Sequence, residues 1–219
     1  MITVLGGGGV GLFLSIGLVV PLYIAEMDMS SSAQLLLLSL AIYTPMCLFG
    51  WWFAIKRHGA SLRDAGFKWV GFGPLLLMIP AAIGLIVVTG FLSYLTSLFI
   101  GDVPTAQEQV IPGQDTLPVL DLVWLVIAGA IAAPIAEEFL FRGLLYRYLR
   151  ARRSLWVAIL VSSIVFAFAH FVPVLIPVLI VFGIAEALVA ERYDSLYPSI
   201  ALHALNNGAL FAALFTTLN

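Results

Sequence analysis

Glu137 and Glu138 are followed by Arg142, Phe166 precedes His170, and His203 precedes Asn207, each of the last two pairs and Glu138–Arg142 being four residues apart. Residues at that spacing share one face of an α-helix, so each pair projects from one side of its element. A carboxylate and an imidazole brought to one point can share a water molecule and take its proton. A second imidazole and an amide aimed at the same point can donate to the oxygen that becomes negative as water attacks a carbonyl. The chemistry these types suggest is amide hydrolysis. No serine or cysteine nucleophile with a partner base is evident, since Cys47 is remote in sequence and Ser162 and Ser163 have no motif around them. The HExxH zinc signature is absent as well.

The elements that must position these groups lie in lipid. The chain has 219 residues, 62% hydrophobic and 10% charged, with a mean hydropathy of +1.10. Soluble domains hold ~45–50% apolar and ~25% charged residues, and several stretches here run about twenty residues without a charge, the length that crosses a bilayer. A net charge of −2 and a pI of about 5.8 leave no basic surface for nucleic acid. Cys47 is the single cysteine, so there is no disulfide framework, and it reads as a small buried hydrophobe. The first 25 residues have no basic n-region and read as a retained helix rather than a cleaved leader.

Uninterrupted apolar runs place spans near Gly9–Ala25, Gln34–Ile55, Gly73–Ile100, Asp121–Leu149, Leu155–His170, Val174–Ala190 and Pro198–Leu218. The fold class is all-α: a polytopic membrane protein of about seven to eight transmembrane helices with a cytosol-facing cavity. No run alternates in the manner of a barrel strand. Residues 1–219 read as a single transmembrane domain. Lys56, Arg57, Arg63 and Lys68 in one loop, and Arg147, Arg150, Arg152 and Arg153 in another, mark both as cytoplasmic. The loop at 101–120 carries Asp102, Glu108 and Asp115 with no basic residue, which sets the N-terminus inside. Ser61–Trp69 mixes apolar and charged residues and suits either a segment at the membrane surface or a polar loop.

Ionisable residues inside spans are costly and mark function by default. Glu137 and His170 are equally far in sequence from the turn at Ala151–Ser154, so an antiparallel hairpin sets them level. At ~1.5 Å per residue, Glu137 lies about 24 Å from Asp121 across a ~30 Å core, or about 6 Å from the cytoplasmic boundary. Counted from Pro198 as a first helical residue, His203 and Asn207 lie about 8 and 14 Å inside that boundary. One cavity in the cytoplasmic half can therefore hold all four. Pro134 bends the helix just before Glu137, and Gly129, Ala130, Ala132, Ala133 and Ala136 let neighbours approach closely. Singly, Glu138 with Arg142 is an ordinary structural ion pair, His170 a helix-end histidine, and His203 with Asn207 interhelical glue; their shared depth favours one site. Glu186 belongs to no motif and suits a helix–helix hydrogen bond, a pair with Arg192, or a functional role.

The runs Glu137-Glu138-Phe139-Leu140-Phe141-Arg142, Phe166-Ala167-Phe168-Ala169-His170 and His203-Ala204-Leu205-Asn206-Asn207 match, in order, the motifs EExxxR, FxxxH and HxxxN. Over residues 120–215 the chain resembles the CPBP family, the CAAX prenyl endopeptidases and bacteriocin-processing relatives also called Abi proteins. The resemblance implies an intramembrane endopeptidase in the cell membrane with its site near the cytoplasmic face. In that reading Glu137 and His170 activate water, His203 and Asn207 stabilise the oxyanion, Glu138 and Arg142 pair to hold the site, and Phe166 packs below His170. Family members have been described both as metalloproteases and as metal-free glutamate proteases; the metal-free reading needs no cofactor, while Glu and His leave zinc open. The implied substrates are a prenylated CAAX-type C-terminus of a lipidated protein or a small peptide, met within membrane lipid. Two readings from other classes are a proton-coupled carrier using Glu137, Glu138, Glu186 and the histidines as a relay, and a catalytically idle immunity or scaffold protein. The crowding of polar residues into the second half of the chain, without paired broken helices in both halves, disfavours the carrier.

Overall fold

A computed structural model describes residues 43–100 and 118–218. The expected span Gly9–Ala25, the first part of Gln34–Ile55 and most of the 101–120 loop lie outside the described residues. Among the described residues every regular element is helical and none is a strand. Helix α1 covers 43–55 and is closed by a tight turn at Lys56–His58; Gly59, at φ +69°, supplies the left-handed residue that ends it. Helices α2 (Phe72–Ile100), α3 (Val119–Arg150), α4 (Leu155–Phe168), α5 (Ile176–Tyr193) and α6 (Leu196–Leu218) follow. Four of them, α2, α3, α5 with its leading turn, and α6, are long and apolar enough to cross a membrane, and α4 is a shorter apolar helix. Four candidate spans are thus in view, fewer than the seven to eight read from the sequence.

Boundaries differ from expectation in ways that have local causes. Helix α4 stops at Phe168, so His170 sits in the turn beyond it rather than in its last turn, just before Phe171 at φ +56°. Helix α6 begins at Leu196, not Pro198. Proline is tolerated there because the first turn's N–H groups lack helical acceptors in any case. Ser61–Trp69 forms no helix of its own. Its first part is a run of turns capped by Asp64, whose carboxylate accepts from the backbone and hydroxyl of Ser61.

Helix α2 shows how lipid shapes the sequence. Leu76, Ile79, Ile83, Val87, Phe91 and Leu98 stay exposed, while Met78, Ala82 and Leu85 turn inward onto Phe141, Phe166, Phe182 and Leu202. The hydroxyls of Thr89 and Thr96 donate to carbonyls one turn back, at Leu85 and Leu92, as a polar group facing hydrocarbon must. Helices α4 and α5 pack antiparallel through small residues, Ala158, Ser163 and Ala167 against Gly183, Ala187 and Ala190. A Cβ on Gly183 would lie 2.9 Å from the Cβ of Ser163, so only glycine permits that approach.

One end of the bundle gathers the charges. Asp194, in the left-handed turn between α5 and α6, pairs with Lys68 and, at 2.7 Å, with Arg147; Arg150 pairs with Glu191 at 3.0 Å. The Ser195 hydroxyl donates to the Lys68 carbonyl, and the Leu196 N–H donates to the Gly66 carbonyl.

Candidate active site

Helix α3 enters the site in a widened register. Through Val126–Ala132 its hydrogen bonds run five residues back, the Ala133 N–H reaching the Ala128 carbonyl. The next donor in that register belongs to position 134, and Pro134 has none, so the Gly129 carbonyl loses its helical partner. The Asn207 side chain supplies the missing bond, its Nδ2 donating to Gly129 O at 2.8 Å. Proline and asparagine, read separately in the sequence, are thus coupled across two helices. Gly129 is required at this crossing because a Cβ there would lie 2.4 Å from Cζ of Phe211.

Beyond Pro134, α3 delivers Glu137, Glu138 and Arg142 to the interior, all three buried. Arg142 donates to Glu138 Oε1 at 2.8 Å and to the Gly183 carbonyl at 3.1 Å, and its guanidinium lies 4.4 Å over the Phe166 ring. Phe166 is a platform shared by the site, with its centroid 4.6 Å from His170 and 6.1 Å from His203. His170 lies in the turn where it contacts the Phe166 carbonyl through Nδ1 at 2.8 Å. A carbonyl only accepts, so Nδ1 bears hydrogen and Nε2 is the lone-pair nitrogen of the neutral ring. That Nε2 faces Glu137 Oε2 at 3.8 Å.

His203 repeats the arrangement from the other side. Its Nδ1 lies 3.2 Å from Glu138 Oε1, an acceptor already held by Arg142, and its Nε2 lies 3.8 Å from the same Glu137 Oε2. Glu137 Oε2 has no hydrogen-bond partner among the described residues. Its other oxygen, Oε1, accepts from the Tyr43 hydroxyl of α1 at 2.5 Å. The carboxylate therefore has one oxygen anchored and the other directed at two imidazoles.

The structure places Glu137 within 3.8 Å of both His170 and His203, with Glu138, Arg142 and Phe166 packed beside them. Asn207 makes no hydrogen bond to these groups; its amide is oriented by Gly129. Tyr43 is the site residue that sequence reasoning missed: it is the sole tyrosine of its expected span, and a search for ionisable groups passes over a neutral phenol. Among the described residues Glu186 has no hydrogen bond, neither to another helix nor to Arg192; it is fully buried, with Glu138 and Arg142 as its electrostatic neighbours. Among the described residues no three His, Cys, Asp or Glu side chains are grouped to hold a metal ion. The 3.8 Å separations are wider than the ~3.4 Å between ligands of a tetrahedral zinc. The residues as placed do not fit zinc.

Residues 119–209 match the family model described as Type II CAAX prenyl endopeptidase Rce1-like. Neither the comparison with curated proteins nor that with solved structures yields a match. The matched region takes in α3, α4, α5 and most of α6, hence all three motifs, and it leaves out Tyr43. That family comprises membrane-embedded proteases acting on peptide or prenylated protein substrates, and it is the same grouping that the three motifs resemble. Over that region, less than half of its length, the chain is similar to the Rce1-like type II CAAX prenyl endopeptidases.

Proposed function

We propose that the protein is an intramembrane endopeptidase that cleaves a peptide bond with a water activated by Glu137 and His170. One observation carries the reading: Glu137 Oε2, without a hydrogen-bond partner among the described residues, lies 3.8 Å from Nε2 of His170 and 3.8 Å from Nε2 of His203, a group of acceptors. A water molecule supplies the hydrogens such a group requires, donating to Glu137 Oε2 and to an imidazole while its own lone pair remains directed outward. Attack on the substrate carbonyl adds the water oxygen to carbon and passes a proton to Glu137 or His170. The C–N bond then breaks, and that proton leaves on the amine. His203, with Glu138 as counter-ion at Nδ1, can carry a second proton on Nε2 and donate to the oxyanion. Asn207 has one amide hydrogen bonded to Gly129 and the other left for the same oxygen.

The substrate we assign is a prenylated CAAX-type C-terminus or a small peptide, reached from lipid. Assignment of the site to the cytoplasmic half of the cell membrane is supported by the gathering of Lys68, Arg147 and Arg150 at one end of the bundle. The decisive measurement is cleavage of a prenylated peptide by purified protein in lipid nanodiscs. Glu137→Ala is expected to abolish turnover while the protein stays folded; retained cleavage by that variant overturns the mechanism.

A further inference from the structure

Glu186 sits in the middle of α5 with no exposed surface, and among the described residues neither carboxylate oxygen has a hydrogen-bond partner. A charge in that condition, inside a span, carries a desolvation cost that nothing around it offsets. Arg142 is near, but its bonds go to Glu138 and to the Gly183 carbonyl one turn before Glu186. Glu138 is the other neighbour and has the complementary defect: Oε1 is engaged by Arg142 and His203, while Oε2 is buried without a partner. From α6, Ser199 also borders Glu138, but its hydroxyl donates to the Leu196 carbonyl. Glu138, Glu186 and the Arg142 guanidinium thus lie fully buried behind Glu137 and the two imidazoles. An unpaired carboxyl and an unpaired carboxylate oxygen in the same cluster are both resolved by a single hydrogen.

We propose that Glu186 is held as a neutral carboxylic acid that gives its hydrogen bond to Glu138 Oε2, directly or through one bridging water, and so acts as the positioning residue behind the Glu138–His203 contact. With both oxygens of Glu138 satisfied, the carboxylate cannot rotate away from His203 Nδ1, and the imidazole keeps its Nε2 on Glu137. The effect on turnover rests on the peptidase reading above; the protonation of Glu186 does not.

The test therefore has two independent arms on purified protein in nanodiscs. Infrared difference spectra of wild type against Glu186→Gln should show loss of a protonated-carboxyl C=O stretch, and Glu138→Gln should shift that band. A difference containing only ionised-carboxylate bands overturns the proposal whether or not any peptide is cleaved. In the kinetic arm, Glu186→Leu, which offers no donor, should lower kcat about tenfold with KM unchanged, and Glu186→Gln, whose amide can donate, should recover most of it. Equal losses in the two variants overturn the donor role. Failure of wild type to cleave any prenylated peptide would count against the peptidase reading and leave the infrared result to decide Glu186.

Discussion

The chemistry at Glu137 depends on what happens to its two oxygens separately. Tyr43 anchors Oε1, while Oε2 lies 3.8 Å from Nε2 of each imidazole. Tyr43→Phe removes one hydrogen bond to a charged group, a contribution of ~1.5–3 kcal/mol, and is expected to cut kcat by roughly tenfold or more with little change in KM. Loss confined to KM would assign the phenol to substrate binding instead. Behind the site, Arg142→Met leaves Glu138 as a buried charge without its partner and should reduce stability by ~3–5 kcal/mol, read as a fall in melting temperature in detergent. The identities and rough depth of these residues were legible because charge is so rare in the spans that each occurrence stands out. What the sequence did not disclose was orientation: nothing in a one-dimensional pattern says that Asn207 turns to a backbone carbonyl, or that the nearest donor to Glu137 comes from α1.

At the scale of the helix, the crossing of α3 and α6 is keyed by complementary defects, a carbonyl without its helical donor on one and a side-chain amide on the other. Gly129 lets the two helices approach, with Phe211 lying over it in a buried cluster with Leu125, Ala130 and Leu214. Gly129→Ala forces Phe211 to move and should cost ~1–3 kcal/mol, together with activity if Asn207 loses its bond to the shifted carbonyl. Phe211→Leu in the same chain should recover part of both, measured by melting temperature and by turnover; no recovery would mean that the clash is not the cause. Apolar run length gave helices α2 to α6 within a few residues, since in lipid the hydrophobic stretch and the helix are the same constraint. It failed at Leu196 and Phe168 because these ends are set by partners outside the helix, Gly66 for the first and the His170–Phe171 turn for the second.

Across the whole molecule, the loop between α1 and α2 is tied to the α5–α6 corner by Asp194. The hydrogen bond from Lys68, assisted by Arg147, holds this carboxyl below its ordinary value of 3.8, against a smaller opposing effect of burial. A group whose pKa is depressed on folding stabilises above its unfolded value and loses that contribution as the pH falls through the folded one. The tie should therefore persist at neutral pH and fade below about pH 4. Its exposure makes the contribution small, so it is best read locally: faster hydrogen exchange over Ser61–Trp69 in acid, reproduced at neutral pH by Asp194→Asn. The same corner has a mechanical meaning. The backbone of Gly66 and Lys68 receives the Leu196 N–H and the Ser195 hydroxyl, so the α1–α2 loop serves as the N-terminal cap of the helix that holds His203, across 127 residues of sequence between Lys68 and Ser195. A protease cut or a binding partner that lifts this loop at the membrane surface would fray α6 from its first turn, two turns below His203. The cap is thereby a handle on the position of His203, reached from outside the candidate site.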